Sequence, residues 1–339
     1  MKTLFIRADA NEKIGTGHVM RCLALAECAR QMGASVCFIT ADEQAQKIVA
    51  ERGFESVCLE SAWEDLDREI PAMRALIQAQ GIRRLVVDSY YVTEEYLSAL
   101  RELTEVTYID DLNRFPYPVD RLINYNFYGP ATDYRCPGKP EYLLGPGYAP
   151  LRAEFAEPFE RSFEKLSGIL VTSGGTDPYK VAGSVLERLT GDERFAGCDI
   201  YCVLGRFHAQ RETLAERYRD SGRVHILVNI PDMEHYMRIC DVAVTAGGTT
   251  TYEICACGLP ALVYTMADNQ LEIARSADRL GIMPWIGDVR DDMPGCLDRM
   301  VSELLRMEAP DCRRAISEKM RAVSDGRGAF RLAERILST

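Results

Sequence analysis

No stretch of this sequence is long and apolar enough to suggest a membrane span, and positive charge is in deficit. Forty Lys and Arg face 51 Asp and Glu, a formal net charge of −11. The first absence argues against a spanning protein. The second argues against nonspecific nucleic-acid binding and against docking on an anionic membrane surface, so no nucleic acid and no stable membrane association are expected. An anionic small molecule stays open, because backbone dipoles can hold phosphate. Histidine is scarce, with four residues, and the twelve cysteines form no Cys-His cluster. Cys255-Ala-Cys257 lacks metal-ligand spacing. Cys22, Cys28, Cys37, Cys202 and Cys240 lie in apolar segments, where a free thiol packs as a small hydrophobe. A reduced, cytoplasmic protein without structural zinc is expected. Met1 to Ile6 runs straight into a first strand, with no signal-peptide pattern.

What is present is length and alternation. A chain of 339 residues has material for two cores of ordinary size. Leu4 to Ala8 reads as a strand, Asp9 to Thr16 as a loop, and Gly17 to Met32 as a helix with its apolar stripe at Val19, Cys22, Leu23, Ala26 and Ala29. Ser35 to Thr40, Leu85 to Asp88 and Val106 to Asp110 continue as strands, with a helix over Thr93 to Leu103. Such alternation predicts a parallel sheet flanked by helices. From Leu112 to Pro150, Pro, Tyr, Asn and Gly dominate, which reads as an irregular segment before a linker at Arg152 to Lys165. At Gly168 the strand, Gly-Gly and helix pattern restarts, with strands at Cys198 to Leu204, Val224 to Val228, Val242 to Thr245 and Ala261 to Tyr264. Glycine turns at Gly15 to Gly17, Gly174-Gly175 and Gly247-Gly248 form a weak internal echo, consistent with two similar halves. The expected fold is α/β, two doubly wound Rossmann-like domains facing a cleft, 1–155 and 156–339, with ligands at the strand carboxyl ends.

The most informative stretch is Asp241 to Tyr264: a short apolar strand, the turn Gly247-Gly248, a helix entered through Thr249, Thr250 and Thr251, then Gly258-Leu-Pro260 and another strand. A strand feeding a small-residue turn at a helix start lets backbone amides approach a diphosphate. Glu253 falls in the first helical turn, where a carboxylate caps the helix or reaches two ribose hydroxyls, and Asn269-Gln270 adds polar groups at the same sheet edge. The plainer reading is an ordinary βαβ turn with a capping Glu.

Candidate chemistry centres on Ile14-Gly-Thr-Gly-His18. Gly15 and Gly17 let the chain approach a ligand and put His18 at a helix start, where the dipole favours a neutral ring able to accept a proton. The plainer reading is a histidine packed against its loop. His208, His225 and His235 read as unremarkable helix or strand-edge residues. Asp9, Asp88 and Asp110-Asp111 end strands, where a carboxylate orients His18, binds a sugar hydroxyl, or simply caps a turn. The spacing of these carboxylates requires no metal site. Arg7, Arg21 and Arg152 are candidate phosphate partners, or solvated surface groups.

Ile14-Gly-Thr-Gly-His18 after the first strand, Gly174-Gly-Thr-Asp177 opening the second half, and the Gly247-to-Pro260 stretch with Asn269-Gln270 together resemble the GT-B superfamily. The C-terminal motif is similar to the UDP-binding half of the undecaprenyl-muramyl-pentapeptide N-acetylglucosaminyltransferase. Arg7-Ala-Asp9, Gly15-Thr-Gly-His18, Val87-Asp-Ser-Tyr90, Ile109-Asp-Asp111, Tyr148 to Phe155, Gly174-Gly-Thr-Asp177, Glu253 and Asn269-Gln270 resemble more closely the hydrolases of UDP-2,4-diacetamido-2,4,6-trideoxy-β-L-altropyranose in pseudaminic acid biosynthesis. The matching motifs span about residues 4 to 270, and the last seventy carry none. The resemblance implies a metal-independent, cofactor-free, inverting hydrolase, with a UDP-sugar as substrate and UDP as product. His18 would activate water for attack at C1, and Glu253 would hold the ribose. Gly247, Gly248, Thr249 and Thr250 would hold the diphosphate, and Arg152 and Asn269 would position the substrate. Spore-coat polysaccharide proteins share these motifs, so a glycosyltransferase of spore-coat or cell-wall type is the alternative, with His18 acting on an acceptor hydroxyl. A non-catalytic UDP-sugar-binding protein would need neither His18 nor the glycines before it.

Overall fold

The computed structural model describes residues 2–205 and 208–338; the outermost residues of the expected domains, Met1 and Thr339, lie outside this set. The chain divides into two compact units, 1–153 with 327–339, and 154–326.

In the first unit the elements run β1 (Thr3–Ala8), α1 (Gly17–Gln31), β2 (Ser35–Thr40), α2 (Glu43–Glu51), β3 (Glu55–Cys58), α3 (Ile70–Gln80), β4 (Arg84–Asp88), α4 (Glu94–Arg101), β5 (Glu105–Ile109), β6 (Arg121–Asn124) and β7 (Glu141–Leu144). The second unit contains β8 (Gly168–Thr172), α5 (Val181–Thr190), β9 (Asp199–Leu204), α6 (Arg211–Arg217), β10 (Val224–Val228), α7 (Met233–Ile239), β11 (Val242–Ala246), α8 (Thr250–Ala256), β12 (Ala261–Thr265), α9 (Asp268–Arg279), β13 (Trp285–Asp288), α10 (Val289–Arg306) and α11 (Pro310–Val323). A last helix, α12 (Gly328–Leu337), belongs to the first unit.

All strand pairs are parallel, in the orders β3-β2-β1-β4-β5-β6-β7 and β10-β9-β8-β11-β12-β13. The two orders are the same along their first six strands, so the echo among the glycine turns reflects a repeated topology. Each sheet reverses its winding once, between β1 and β4 and between β8 and β11. The carboxyl ends flanking such a reversal are where open α/β sheets bind ligands.

Two sequence expectations differ from the structure. The stretch read as irregular, Leu112 to Pro150, contains β6 and β7, which extend the first sheet by two strands. Each is four residues long and set among Pro, Tyr and Gly, too short for a period to show, yet Arg121 to Asn124 is buried throughout. The second concerns α12, which falls inside the expected domain 156–339 but whose packing the sequence leaves open. Its apolar residues Ala329, Leu332, Ala333 and Ile336 recur at helical spacing and are buried, and the helix packs on α1. Arg331 secures it by donating to Gly147 O at 2.9 Å. The expected linker is held too. Arg161 donates to the carbonyls of Met237, Cys240 and Cys257 at the ends of α7 and α8, and burial pushes its pKa down to about 10. All twelve cysteines are free thiols, and among the described residues no helix is long and apolar enough to cross a membrane.

Candidate functional site

At the winding reversal of the first sheet, β1 ends at Ala8 and β4 at Asp88. The loop between β1 and α1 is tied by Asn11, whose Oδ1 accepts from the amides of Lys13 and Ile14 while its carbonyl accepts from Gly15 N at 2.8 Å. That compact turn delivers Gly17 and His18 as the first two residues of α1. His18 is only 5% exposed. Its Nδ1 lies 2.6 Å from Asp88 Oδ1, and Asp88 is fully buried. Burial alone would raise the Asp88 carboxyl, but the charge and hydrogen bonds of Arg21, joined by the hydrogen bond from His18, outweigh it and hold Asp88 well below the usual carboxylate range. An ionised carboxylate only accepts, so the proton in the short contact belongs to His18 Nδ1. Arg21 Nη2 lies 3.2 Å from the same nitrogen, but two donors cannot bond each other; its proton goes to Asp88 Oδ1 at 2.5 Å. This tautomer leaves Nε2 of His18 as a proton acceptor, the geometry of a general base oriented by a carboxylate.

Arg21, a candidate phosphate partner in the sequence, is engaged by carboxylates. It grips Asp88 with Nε and Nη2, each at 2.5 Å, and Nη1 reaches Asp111 at 2.9 Å and Tyr125 Oη at 2.7 Å. The spacing from His18, three residues along a helix, already placed the two on one face. The role escaped the sequence because Tyr125 follows β6, in the stretch read as irregular. Tyr90 donates to Asp111 at 3.1 Å and meets the His18 ring edge to face, with centroids 4.5 Å apart.

Arg7 and Asp9 are also placed elsewhere than expected. Arg7 is fully buried and donates to both oxygens of Glu69, at 2.7 and 2.9 Å, and to Asp9 at 2.5 Å. Asp9 spends its other oxygen on Ala41 N at 2.7 Å. Both groups brace the ends of β1 and β2 through these bonds. Asp110 accepts from the amides of Leu112 and Asn113 and from the hydroxyls of Tyr117 and Tyr134. Among the described residues no three His, Cys, Asp or Glu gather as metal ligands do. Arg152 is half-buried just past β7 and its following turn.

In the second unit the turns after β8 and β11 flank the other reversal. Gly247 N donates to Tyr264 O and Gly248 N to Ala246 O, while Thr251 Oγ1 donates to Gly248 O. Thr249 is the N-cap residue of α8 without a side-chain cap bond, and Thr250 starts the helix, so their amides are the orphan donors of a helix start. Helix α8 is only seven residues long, so these local amides matter more than an extended dipole. A Cβ on Gly247 would sit 3.1 Å from Gln270 O, which is how closely α9 approaches the turn. Gln270 Oε1 accepts from Met266 N at 2.9 Å, Asn269 is exposed, and Glu253 lies in the first turn of α8.

The Gly174-Gly175 turn follows β8. A Cβ on Gly205 would lie 2.6 Å from Gly175 Cα and Gly175 O and 2.7 Å from Gly174 O, so β9 ends against that turn with no room for a methyl. Gly205→Ala is expected to cost about 1–3 kcal/mol of stability, measured by denaturant unfolding; an unchanged midpoint would show that the turn yields freely. His208, read as unremarkable in the sequence, is fully buried and places Nε2 3.3 Å from Asp177 Oδ2. Asp177 in turn accepts from Val181 N and Ala182 N at the start of α5.

No family model matches the chain. It is 27% identical over 283 residues to an uncharacterized protein of Methanocaldococcus jannaschii, covering 79% of this chain and 56% of that one. It is 23% identical over 340 residues to the spore coat polysaccharide biosynthesis protein SpsG of Bacillus subtilis, covering 96% and 95%. It is 29% identical over 181 residues to the UDP-2,4-diacetamido-2,4,6-trideoxy-beta-L-altropyranose hydrolase of Campylobacter jejuni, covering 52% and 61%. The matches thus span little more than half the length of the first and last of these relatives. Among solved structures, Acinetobacter baumannii MurG superposes with TM-score 0.72 at 14% identity over the full length of both chains. The glycosyltransferase of kitacinnamycin gives 0.66 at 17%, covering 99% of each. The chain therefore has the GT-B fold of two Rossmann-like domains, and its distant relatives include a protein named as a UDP-sugar hydrolase and one named for spore-coat polysaccharide synthesis.

Proposed function

We propose that this chain hydrolyses UDP-2,4-diacetamido-2,4,6-trideoxy-β-L-altropyranose, or a nucleotide sugar close to it, to UDP and the free sugar in pseudaminic acid biosynthesis. The observation that carries the reading is the 2.6 Å contact between His18 Nδ1 and a buried, ionised Asp88, which leaves Nε2 as the acceptor for a proton of water. Water deprotonated there attacks C1, the C1–O bond to the diphosphate breaks, and UDP leaves with the bonding electrons, so the anomeric configuration inverts. The amides of Thr249 and Thr250 and the turn at Gly247-Gly248 are assigned to the diphosphate, Glu253 to the ribose, and Gly174, Asn269, Gln270 and Arg152 to positioning. Fixed donors that meet charge as it develops on a leaving group supply a large share of catalysis in such reactions. The 29% identical relative from Campylobacter jejuni, whose name states this reaction, supports the choice of substrate.

A second reading is a glycosyltransferase, in which an acceptor hydroxyl replaces water. It is favoured by the B. subtilis relative, which matches over 95% of its length. Purified protein incubated with the altropyranose substrate and EDTA, followed by NMR, decides between them. Equal amounts of UDP and free sugar, with the inverted anomer appearing first and the rate unaffected by EDTA, are expected. Intact substrate alone, with UDP release once a saccharide acceptor is added, would overturn hydrolysis in favour of transfer.

A further inference from the structure

The turn after β4 and the segment after β3 both leave the carboxyl edge of the first sheet, and both carry aromatic side chains that stay out of the core. Tyr90 is 36% and Tyr91 39% exposed, and Trp63 is half-buried. The turn is fixed: Tyr91 N donates to Ser89 Oγ at 3.1 Å, and Arg114 donates to Tyr90 O at 3.0 Å. It sends the two neighbouring rings to different partners. Tyr90 covers His18, whereas Tyr91 meets Trp63, with centroids 5.1 Å apart and ring planes at 87°. Lys13, on the loop that leads into His18, holds its ammonium 5.7 Å from the centre of the Trp63 ring. Two perpendicular rings form a corner with two apolar walls, and Lys13 adds a cation at its side. None of these three groups supports the Asp88–His18 pair.

We propose that the Trp63–Tyr91 corner, with Lys13, is the subsite that selects the sugar, favouring a pyranose with apolar substituents of the deoxy-acetamido class over a fully hydroxylated hexose. The inference rests on the nucleotide-sugar reading above and deepens it. Ring C–H groups carry slight positive charge and meet the negative face of an aromatic ring. A methyl where another hexose has a hydroxymethyl packs against such a wall without loss, whereas a hydroxyl there gives up water for no partner. The Lys13 ammonium supplies the donor that an acetamido carbonyl accepts.

The chain has two tryptophans, Trp63 and Trp285, so the tryptophan emission of a Trp285→Phe protein comes from Trp63 alone. Titrated with free 2,4-diacetamido-2,4,6-trideoxy-L-altropyranose, its emission is expected to change saturably at about tenfold lower concentration than with free N-acetylglucosamine. In turnover of the matching UDP-sugars, Trp63→Ala and Tyr91→Ala are expected to raise KM for the deoxy substrate about tenfold with kcat within about twofold, while Trp63→Phe restores most of the loss. Wild-type turnover with unchanged KM in both alanine variants and no emission response overturns the subsite and leaves hydrolysis standing. An emission response without turnover of either nucleotide sugar supports the subsite and overturns hydrolysis.

Discussion

Replacing His18 by alanine is expected to lower the rate of UDP release by about 10²–10⁴-fold, the usual worth of a positioned general base, while the affinity for UDP stays within about twofold of wild type. The split follows from where the groups reside. The ring lies at the start of α1 in the first unit, and the amides assigned to the diphosphate start α8 in the second. Removing the imidazole deletes the acceptor for the water proton and leaves the backbone amides of α8 in the chain. Pre-steady-state UDP release and calorimetric UDP binding, measured on the same preparations, separate the two. A variant that loses UDP affinity in proportion to turnover would remove His18 from the role of base.

The second large effect is expected at Asp88. Its two oxygens serve four donors, His18 Nδ1, Arg21 Nε, Arg21 Nη2 and the Cys22 thiol. An Asn at this position must present its NH2 to one of them, so at least one donor meets another donor. Asp88→Asn is expected to reduce kcat by about 10²-fold or more, through loss of the tautomer that leaves Nε2 free. It is also expected to destabilise the fold by about 3 kcal/mol, because the half-buried Arg21 then keeps Asp111 alone as an ion-pair partner among the described residues. The pH dependence has a definite sign. A carboxyl held below its ordinary value, near 4, stabilises the fold at any pH above that value and loses the contribution as pH falls toward the lower folded value. The stability difference between wild type and Asp88→Asn should therefore be widest near neutrality and shrink as pH drops below about 4. Urea unfolding across that range measures it, and a gap independent of pH would mean that the Asp88 carboxyl is not depressed.

The parts of the fold that were legible are those whose length exceeds their period. The stripe Val19, Cys22, Leu23, Ala26, Ala29 announced α1, and glycine pairs after apolar runs announced the turns that close β8 and β11. The four-residue strands β6 and β7 were hidden because a strand that short, set among Pro and Tyr, has no repeat to recognise. At the candidate site His18 stood out by scarcity and by the glycines before it. The partners of a buried charge did not stand out, since Arg21 looks the same in sequence whether it meets phosphate or carboxylate. Arg7 shows the same limit: its bidentate pairing with Glu69 joins residues 62 positions apart, and no local pattern encodes that distance.

Helix α12 gives the synthesis of this protein an unusual order. The first sheet and α1 are complete in sequence by residue 153, but the helix that packs on α1 follows only after residue 326. While the whole second unit is being made, the face of α1 that α12 will cover has no native partner, on a timescale set by translation at about 5–20 residues per second. The second unit is contiguous from 154 to 326 and can close before the first is finished. The N-terminal half, although made before the second unit, thus reaches its native packing only after that unit has followed.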